Sequence, residues 1–223
     1  MRHTPLHFRS DDDGHMDKML SAGVIQPSMS ELVSPPVLVR KRDGSVRWRV
    51  DYRALNNITK KDVFPLPRFE ECVDVLDGKL WFSKLDANSA YWQVRLDDES
   101  RPKTAFCTGR GLFEFMRMPF GFCNAPATFS RGINLILSGL NWETVLDDIC
   151  VLGKSYKDHM INLERVFQRF HQYGLRMKPR KYSLFKTQVE NLGRLVSRRG
   201  VQVLPESIKE VTEWPELKSV KDV

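Results

Sequence analysis

A chain of 223 residues with 41% hydrophobic content can bury a sizeable core, enough for one large domain or two closely packed subdomains. No apolar run approaches the roughly 18 residues of a membrane span and the first residues lack the apolar core of a signal peptide, so no membrane partner and an intracellular location, cytoplasm or nucleus, are expected. The 35 Lys plus Arg outweigh 28 Asp plus Glu for a net charge of +7, which favours a polyanionic partner such as nucleic acid.

The four cysteines, Cys72, Cys107, Cys123 and Cys150, include no C-x-x-C pair and no neighbouring histidine at zinc-ligand spacing. Neither a disulfide framework nor a zinc site is indicated, and buried reduced thiols are expected. His159 falls in a helical pattern, where a surface role is expected.

In chain order, Ser10 followed by Asp11, Asp12 and Asp13 reads as a helix cap with an acidic first turn, and Met16, Met19 and Leu20 supply the apolar stripe before Gly23. Pro35 to Val39 and the alternating Val46 to Asp51 predict a hairpin turning at Asp43-Gly44. Phe64-Pro65-Leu66-Pro67 predicts the start of a helix through Leu76, closed by Gly78, and Leu80 to Asp86 a half-buried strand ending in a carboxylate. Lys103 to Cys107 and Leu112 to Met118 predict a second hairpin.

Asn124-Ala125-Pro126 opens a helix to about Leu137, with Gly139 as its stop. Glu143 to Leu146 and Ile149 to Leu152 flank Asp147-Asp148, which the pattern sets at the turn of a short hairpin. A long amphipathic helix is expected from about Tyr156 to Tyr173, capped by Gly174, then short strands to Val196 and a last helix near Pro205. Hairpins alternating with helices predict an α+β fold, an antiparallel sheet covered by helices on one face.

Phosphoryl transfer assisted by two metal ions needs carboxylates on a rigid support. Asp86 and Asp147-Asp148 are such a set if the strand ending at Asp86 lies beside the hairpin. A turn pair and a strand-end cap account for the same residues.

Longer stretches widen the basis. Val50-Asp51-Tyr52-Arg53-Ala54-Leu55-Asn56 resembles the V-D-Y-R-x-L-N motif of gypsy-type long-terminal-repeat retrotransposon reverse transcriptases. Phe64 to Pro67, Lys84 to Gln93, Lys103 to Phe106, Met118 to Phe129, Leu146-Asp147-Asp148-Ile149 and Asn191-Leu192-Gly193 resemble further motifs of that family, in its order. The resemblance runs from about Pro5 to Val223. It implies the fingers and palm of a right-hand polymerase fold over residues 35–200, after a helical lead-in at 1–34 and before the start of a thumb at 201–223.

The same resemblance implies an RNA-directed DNA polymerase acting on an RNA or DNA template with its primer and on deoxynucleoside triphosphates. Asp86, Asp147 and Asp148 match its metal-binding carboxylates, with Asp86 and Asp147 as direct ligands and Asp148 nearer the primer end. Two Mg2+ ions are implied, with Mn2+ as a substitute, since carboxylate and phosphate oxygens are hard ligands. On the nucleotide side Tyr91 matches the aromatic residue under the incoming sugar, Arg47 and Lys41 match contacts to the triphosphate, and Phe120-Gly121 matches the segment backing the incoming base. Arg110 and Arg131 are candidate template contacts, with a solvated charge as the competing explanation.

Two departures stand out. Val145 occupies a place usually held by an aromatic residue, and the run from Trp142-Glu143 to Leu146-Asp147-Asp148 is about three residues short, an odd shift of the kind that inverts which side chains face the core. A loss from the preceding loop would keep the hairpin in register, whereas a loss from the strand would threaten the placement of Asp147, and an inactive remnant that keeps the fold and binds only nucleic acid is the alternative function. The end of the chain at Val223 carries the expectation that ribonuclease H, protease and integrase activities are not part of this polypeptide.

Overall fold

The computed structural model describes residues 9–40, 46–64, 78–87, 89–140, 142–145, 148–191, 194–197 and 200–203. Contacts divide the chain into two units, Met1–Pro65 with Asn88–Ile133 and Leu66–Ala87 with Asn134–Val223.

In the first unit, Met16 and Met19 are buried on one side of helix α1 (Arg9–Ser21). The helix begins at Arg9, so Ser10 lies inside it instead of capping it. It closes by a Schellman arrangement: Gly23 N–H donates to Leu20 O at 3.0 Å and Val24 N–H to Met19 O at 2.9 Å, with Gly23 at φ +61°. The chain then enters strand β1 (Ile25–Pro27), while β2 (Pro36–Arg40) and β3 (Val46–Val50) form the expected hairpin, Pro36 opposite Val50 and Arg40 opposite Val46. Its tip, 41–45, lies outside the described residues.

After that hairpin comes a six-residue helix that hydrophobic periodicity did not reveal, α2 (Arg53–Ile58). Local chemistry starts it: the Asp51 carboxylate accepts the Arg53 N–H at 3.1 Å and grips its guanidinium at 2.6 Å.

Strand β4 (Trp81–Asp86) follows in the second unit, before β5 (Phe106–Thr108) and β6 (Gly111–Phe115) complete an antiparallel sheet of order β1-β6-β5 in the first. Lys103 is not in a strand, because Pro102 opens a short 3-10 turn there whose preset φ suits a helix start. The core of this unit gathers Met16, Met19, Ile25, Val50, Tyr52, Phe106, Phe113 and Phe115. Helix α3 (Ala125–Ile136) buries Ala125, Phe129 and Ile133 at helical spacing.

The second unit is built on a sheet of order β7-β8-β4-β9, with β7 (Trp142–Val145), β8 (Asp148–Gly153) and β9 (Ser183–Lys186). Helix α4 (Tyr156–Tyr173) lies on one face with Leu163, Val166 and Phe170 buried. Ser155 caps it, its Oγ accepting the Asp158 N–H at 3.1 Å, and Gly174 at φ +66° ends it. Strands β10 (Gln188–Asn191), β11 (Arg194–Ser197) and β12 (Gly200–Val203) form a separate antiparallel meander.

His159 corrects the surface expectation. It is 0% exposed, with Nε2 2.7 Å from Ser83 Oγ. Cys123 corrects the opposite expectation, being exposed, whereas Cys150 is buried. The helices anticipated from Phe64 and near Pro205 fall outside the described residues, as does Cys72. Among the described residues no helix is long and apolar enough to cross a membrane.

Candidate functional site

Alternation along β4 and β8 builds the carboxylate end of the second unit. The two strands pair antiparallel from Trp81 opposite Gly153 to Asp86 opposite Asp148, six pairs without a slip. In such a ladder facing positions share a face. Ser83, whose hydroxyl meets His159 of α4, marks the face under the helix, so positions 86 and 148 belong together on the other face.

Asp148 is the first residue of β8 and pairs directly with Val145 at the end of the hairpin. Leu146 and Asp147 occupy the connection and lie outside the described residues, as does the side chain of Asp148. Within this chain, β7 is the shorter of the two hairpin strands. That strand has four residues against six in β8, and Leu152 and Gly153 extend beyond its partnered length. The β4–β8 register that pairs Asp86 with Asp148 is unbroken.

Asp86 is 26% exposed and holds a cation: Lys181 Nζ donates to its Oδ2 at 3.0 Å. The contact has a backbone frame. Lys178 N–H donates to Asp86 O at 2.9 Å, and Ala87 bridges Met177. Next to Lys181, burial pushes the Tyr182 phenol above its ordinary range, with the Asp86 carboxylate adding to the effect. Lys181 escaped sequence reasoning, since nothing local distinguishes it from the other basic residues between Arg176 and Lys186. Among the described residues, no three His, Cys, Asp or Glu side chains converge as metal ligands.

The nucleotide-side candidates belong to the first unit. Tyr91 is buried in a short 3-10 turn, its ring 5.0 Å from Phe120 and 5.9 Å from Phe129. Phe120 is 43% exposed and also meets Trp92 at 6.1 Å. Gly121 adopts φ +101°, a conformation that L side chains rarely adopt, and an added Cβ there would touch Tyr52 and Val50 O at an ordinary 3.6 Å. The backbone angle, and not crowding, is what requires glycine.

Asn56 ties this loop, and Asn124, just before α3, ties its flank. Asn56 Nδ2 donates to Gly121 O at 2.8 Å, and its Oδ1 accepts the Cys123 N–H at 2.9 Å. Asn124 Nδ2 donates to Lys60 O at 2.9 Å, and its Oδ1 accepts the Asp62 N–H at 3.0 Å. Polar side chains in motifs at Asn56 and Asn124 were the available signal.

Arg47 sits in β3 opposite Val39, with its side chain outside the described residues, and Lys41 lies outside them entirely. Arg110 is paired with Asp17 at 2.6 Å, and Arg131 with Asp62 at 2.7 Å, its guanidinium 4.9 Å from the Phe64 ring centre. Both arginines thus have partners within the chain.

Comparison with known proteins finds relatives by sequence and by fold. A family model described as reverse transcriptase (RNA-dependent DNA polymerase) matches residues 39–196. The chain is 34% identical over 98% of its length to the retrovirus-related Pol polyprotein from transposon opus of Drosophila melanogaster, covering 23% of that protein. It is 33% identical over 92% of its length to the transposon Tf2-3 polyprotein of Schizosaccharomyces pombe, covering 16% of it. The chain spans less than a quarter of the length of either relative.

Among solved structures it resembles a foamy viral protease-reverse transcriptase in complex with double-stranded DNA, with a TM-score of 0.90 and 23% identity over 100% of this chain and 40% of that one. A complex of the foamy viral enzyme with an RNA/DNA hybrid gives a TM-score of 0.87 at 22% identity, over 99% of this chain and 30% of that one. The likeness establishes the fold, the α+β right-hand polymerase fold that the motif order implied. With the matched span and the retrotransposon polyproteins, it leads to one conclusion: the chain belongs to the reverse transcriptase family, alongside the polymerases of retrotransposon Pol polyproteins.

Proposed function

We propose that this chain is an RNA-directed DNA polymerase module that adds deoxynucleotides to a primer 3′-hydroxyl. The observation that carries the reading is the register of β4 against β8, which pairs Asp86 with Asp148 at the ends of two neighbouring strands. Residues 35–200 act as fingers and palm, 1–34 as lead-in and 201–223 as the start of a thumb. The nucleic acids named for the foamy viral complexes, an RNA/DNA hybrid and double-stranded DNA, support a primer–template as the partner here.

The donor set fits divalent ions. Carboxylate oxygens are hard ligands, and Asp86 Oδ2 already accepts a charge-assisted hydrogen bond from Lys181 Nζ at 3.0 Å. Asp86 and Asp147 would hold two Mg2+ ions, replaceable by Mn2+, with Asp148 nearer the primer end. When bound, the ions activate the attacking hydroxyl and neutralise the leaving pyrophosphate.

The chain's own residues do the positioning. Tyr91 packs under the sugar and disfavours a 2′-hydroxyl, Phe120 and Gly121 back the base, and Arg47 and Lys41 bind the triphosphate through charge-assisted hydrogen bonds. Asn56 fixes the loop that carries Phe120 and Gly121.

Primer extension on an RNA template with Mg2+ tests the reading. Extension that is lost in Asp86→Asn and in Asp147→Asn supports it. The four-residue β7 with Val145 opposite Asp148 favours a second reading, a remnant that binds nucleic acid without catalysis. Primer–template binding with no extension by any of the three proteins would establish that reading.

A further inference from the structure

We propose that Lys181 is a built-in counter-cation for Asp86, neutralising the carboxylate while no metal ion is bound and competing with the ion for it. The inference rests on the reading of Asp86 as a metal ligand. It concerns what that ligand does before the ion arrives, and its first support is the contact between Lys181 Nζ and Asp86 Oδ2 at 3.0 Å.

The placement of the lysine is framed by backbone and is not that of a loose surface side chain. The segment 177–181 is tied to the end of β4 by the Ala87–Met177 bridge and by Lys178 N–H donating to Asp86 O at 2.9 Å. Lys181 N–H donates to Lys178 O at 3.0 Å, closing the 3-10 turn Pro179–Lys181. The next residue is anchored too, with the Tyr182 ring stacked 6.1 Å from Phe167. The Cα of Lys181 is thereby held within ammonium reach of the carboxylate.

The side chain is free to leave. Lys181 is 56% exposed on a flexible four-carbon stem, whereas Asp86 is 26% exposed. A carboxylate that is three-quarters covered gains from a nearby positive charge, and a lysine can give way to a stronger ligand partner by swinging into water. An arginine fork would hold both oxygens more firmly. The pair is therefore suited to offset the charge of Asp86 itself and to set how readily an ion enters.

The test is Mn2+ binding without nucleotide or nucleic acid, read from the loss of the free-ion electron paramagnetic resonance signal. Lys181→Met is expected to tighten Mn2+ binding about two- to fivefold, the range of an exposed ion pair. Lys178→Met, which removes the same charge from a residue tied to Asp86 through its backbone N–H, is expected to change it less, and Lys181→Arg is expected not to tighten it. Unchanged or weaker binding in Lys181→Met, or equal gains in Lys181→Met and Lys178→Met, would overturn the counter-cation. Asp86→Asn separates the two ideas. If it weakens binding while Lys181→Met does nothing, only the counter-cation fails, but if it leaves binding unchanged, the metal-ligand reading of Asp86 fails and the counter-cation with it.

Discussion

Ser83 and His159 meet in the interior between β4 and α4, Oγ to Nε2 at 2.7 Å, and both side chains are fully buried. The same Ser83 Oγ accepts the Phe185 N–H at 3.1 Å, at the point where the β4–β9 register shifts and Phe185 takes φ +52°. One hydroxyl therefore joins the helix to the irregular edge strand. The Phe185 ring lies 5.3 Å from His159, completing the enclosure.

Burial pushes the His159 imidazole below its ordinary range, against smaller opposing pulls from Leu152 and Asp158. The unfolded chain titrates near the free value of about 6.5, so at mildly acid pH it binds a proton that the folded chain does not. Stability is then full above about pH 6.5 and falls as pH drops toward the lowered folded value. Urea midpoints from pH 7.5 to 5 should show this fall, and His159→Gln should flatten it. An unchanged slope in the variant would assign the acid sensitivity to other groups.

Gly153 offers a packing prediction. A Cβ at this position would come 2.7 Å from His159 N and 2.6 Å from its Cα, at the backbone of the first turn of α4. Since Ser155 caps that helix from Asp158, the turn cannot retreat without losing its cap. Gly153→Ala should cost about 1–3 kcal/mol, as overpacking does. A melting temperature matching the parent chain would show that α4 shifts freely.

Asn56 ties Gly121 and Cys123 by two hydrogen bonds, and the loop is open to water. Asn56→Leu should therefore lower stability by only about 1–2 kcal/mol. The larger effect is expected on KM for the deoxynucleotide, because the segment backing the base loses its tie, and Asn56→Asp, which keeps the acceptor, should fall between. Steady-state kinetics beside thermal melts would separate the two effects. A stability loss with KM unchanged would remove Asn56 from the positioning role.

Tyr91 is 9% exposed between Phe120 and Phe129. Tyr91→Val shortens the side chain and should raise ribonucleotide use relative to deoxynucleotide use by on the order of tenfold to a hundredfold, the scale of a shape-based pocket. Single-nucleotide incorporation with each substrate measures the ratio. A ratio equal to the parent's would make Tyr91 a packing residue alone.

Local signals were legible where neighbours in the chain decide the outcome. The apolar spacing from Leu163 to Phe170 with the Gly174 stop marked α4 at both ends, and the alternation from Val46 to Val50 marked β3. Conversely, Pro102 broke the strand expected at Lys103, and the Asp51–Arg53 contact made a helix too short for periodicity to register.

The sequence by itself determined the family, the order of its motifs and most element types, because capping, alternation and helical spacing act over a few residues. Tertiary structure decided the pairing of Asp86 with Asp148, the ion pair of Asp86 with Lys181 and the burial of His159. Each of these joins residues far apart in the chain. Their meeting depends on strand register and on which face of the sheet a helix covers, and both are set by packing the whole core.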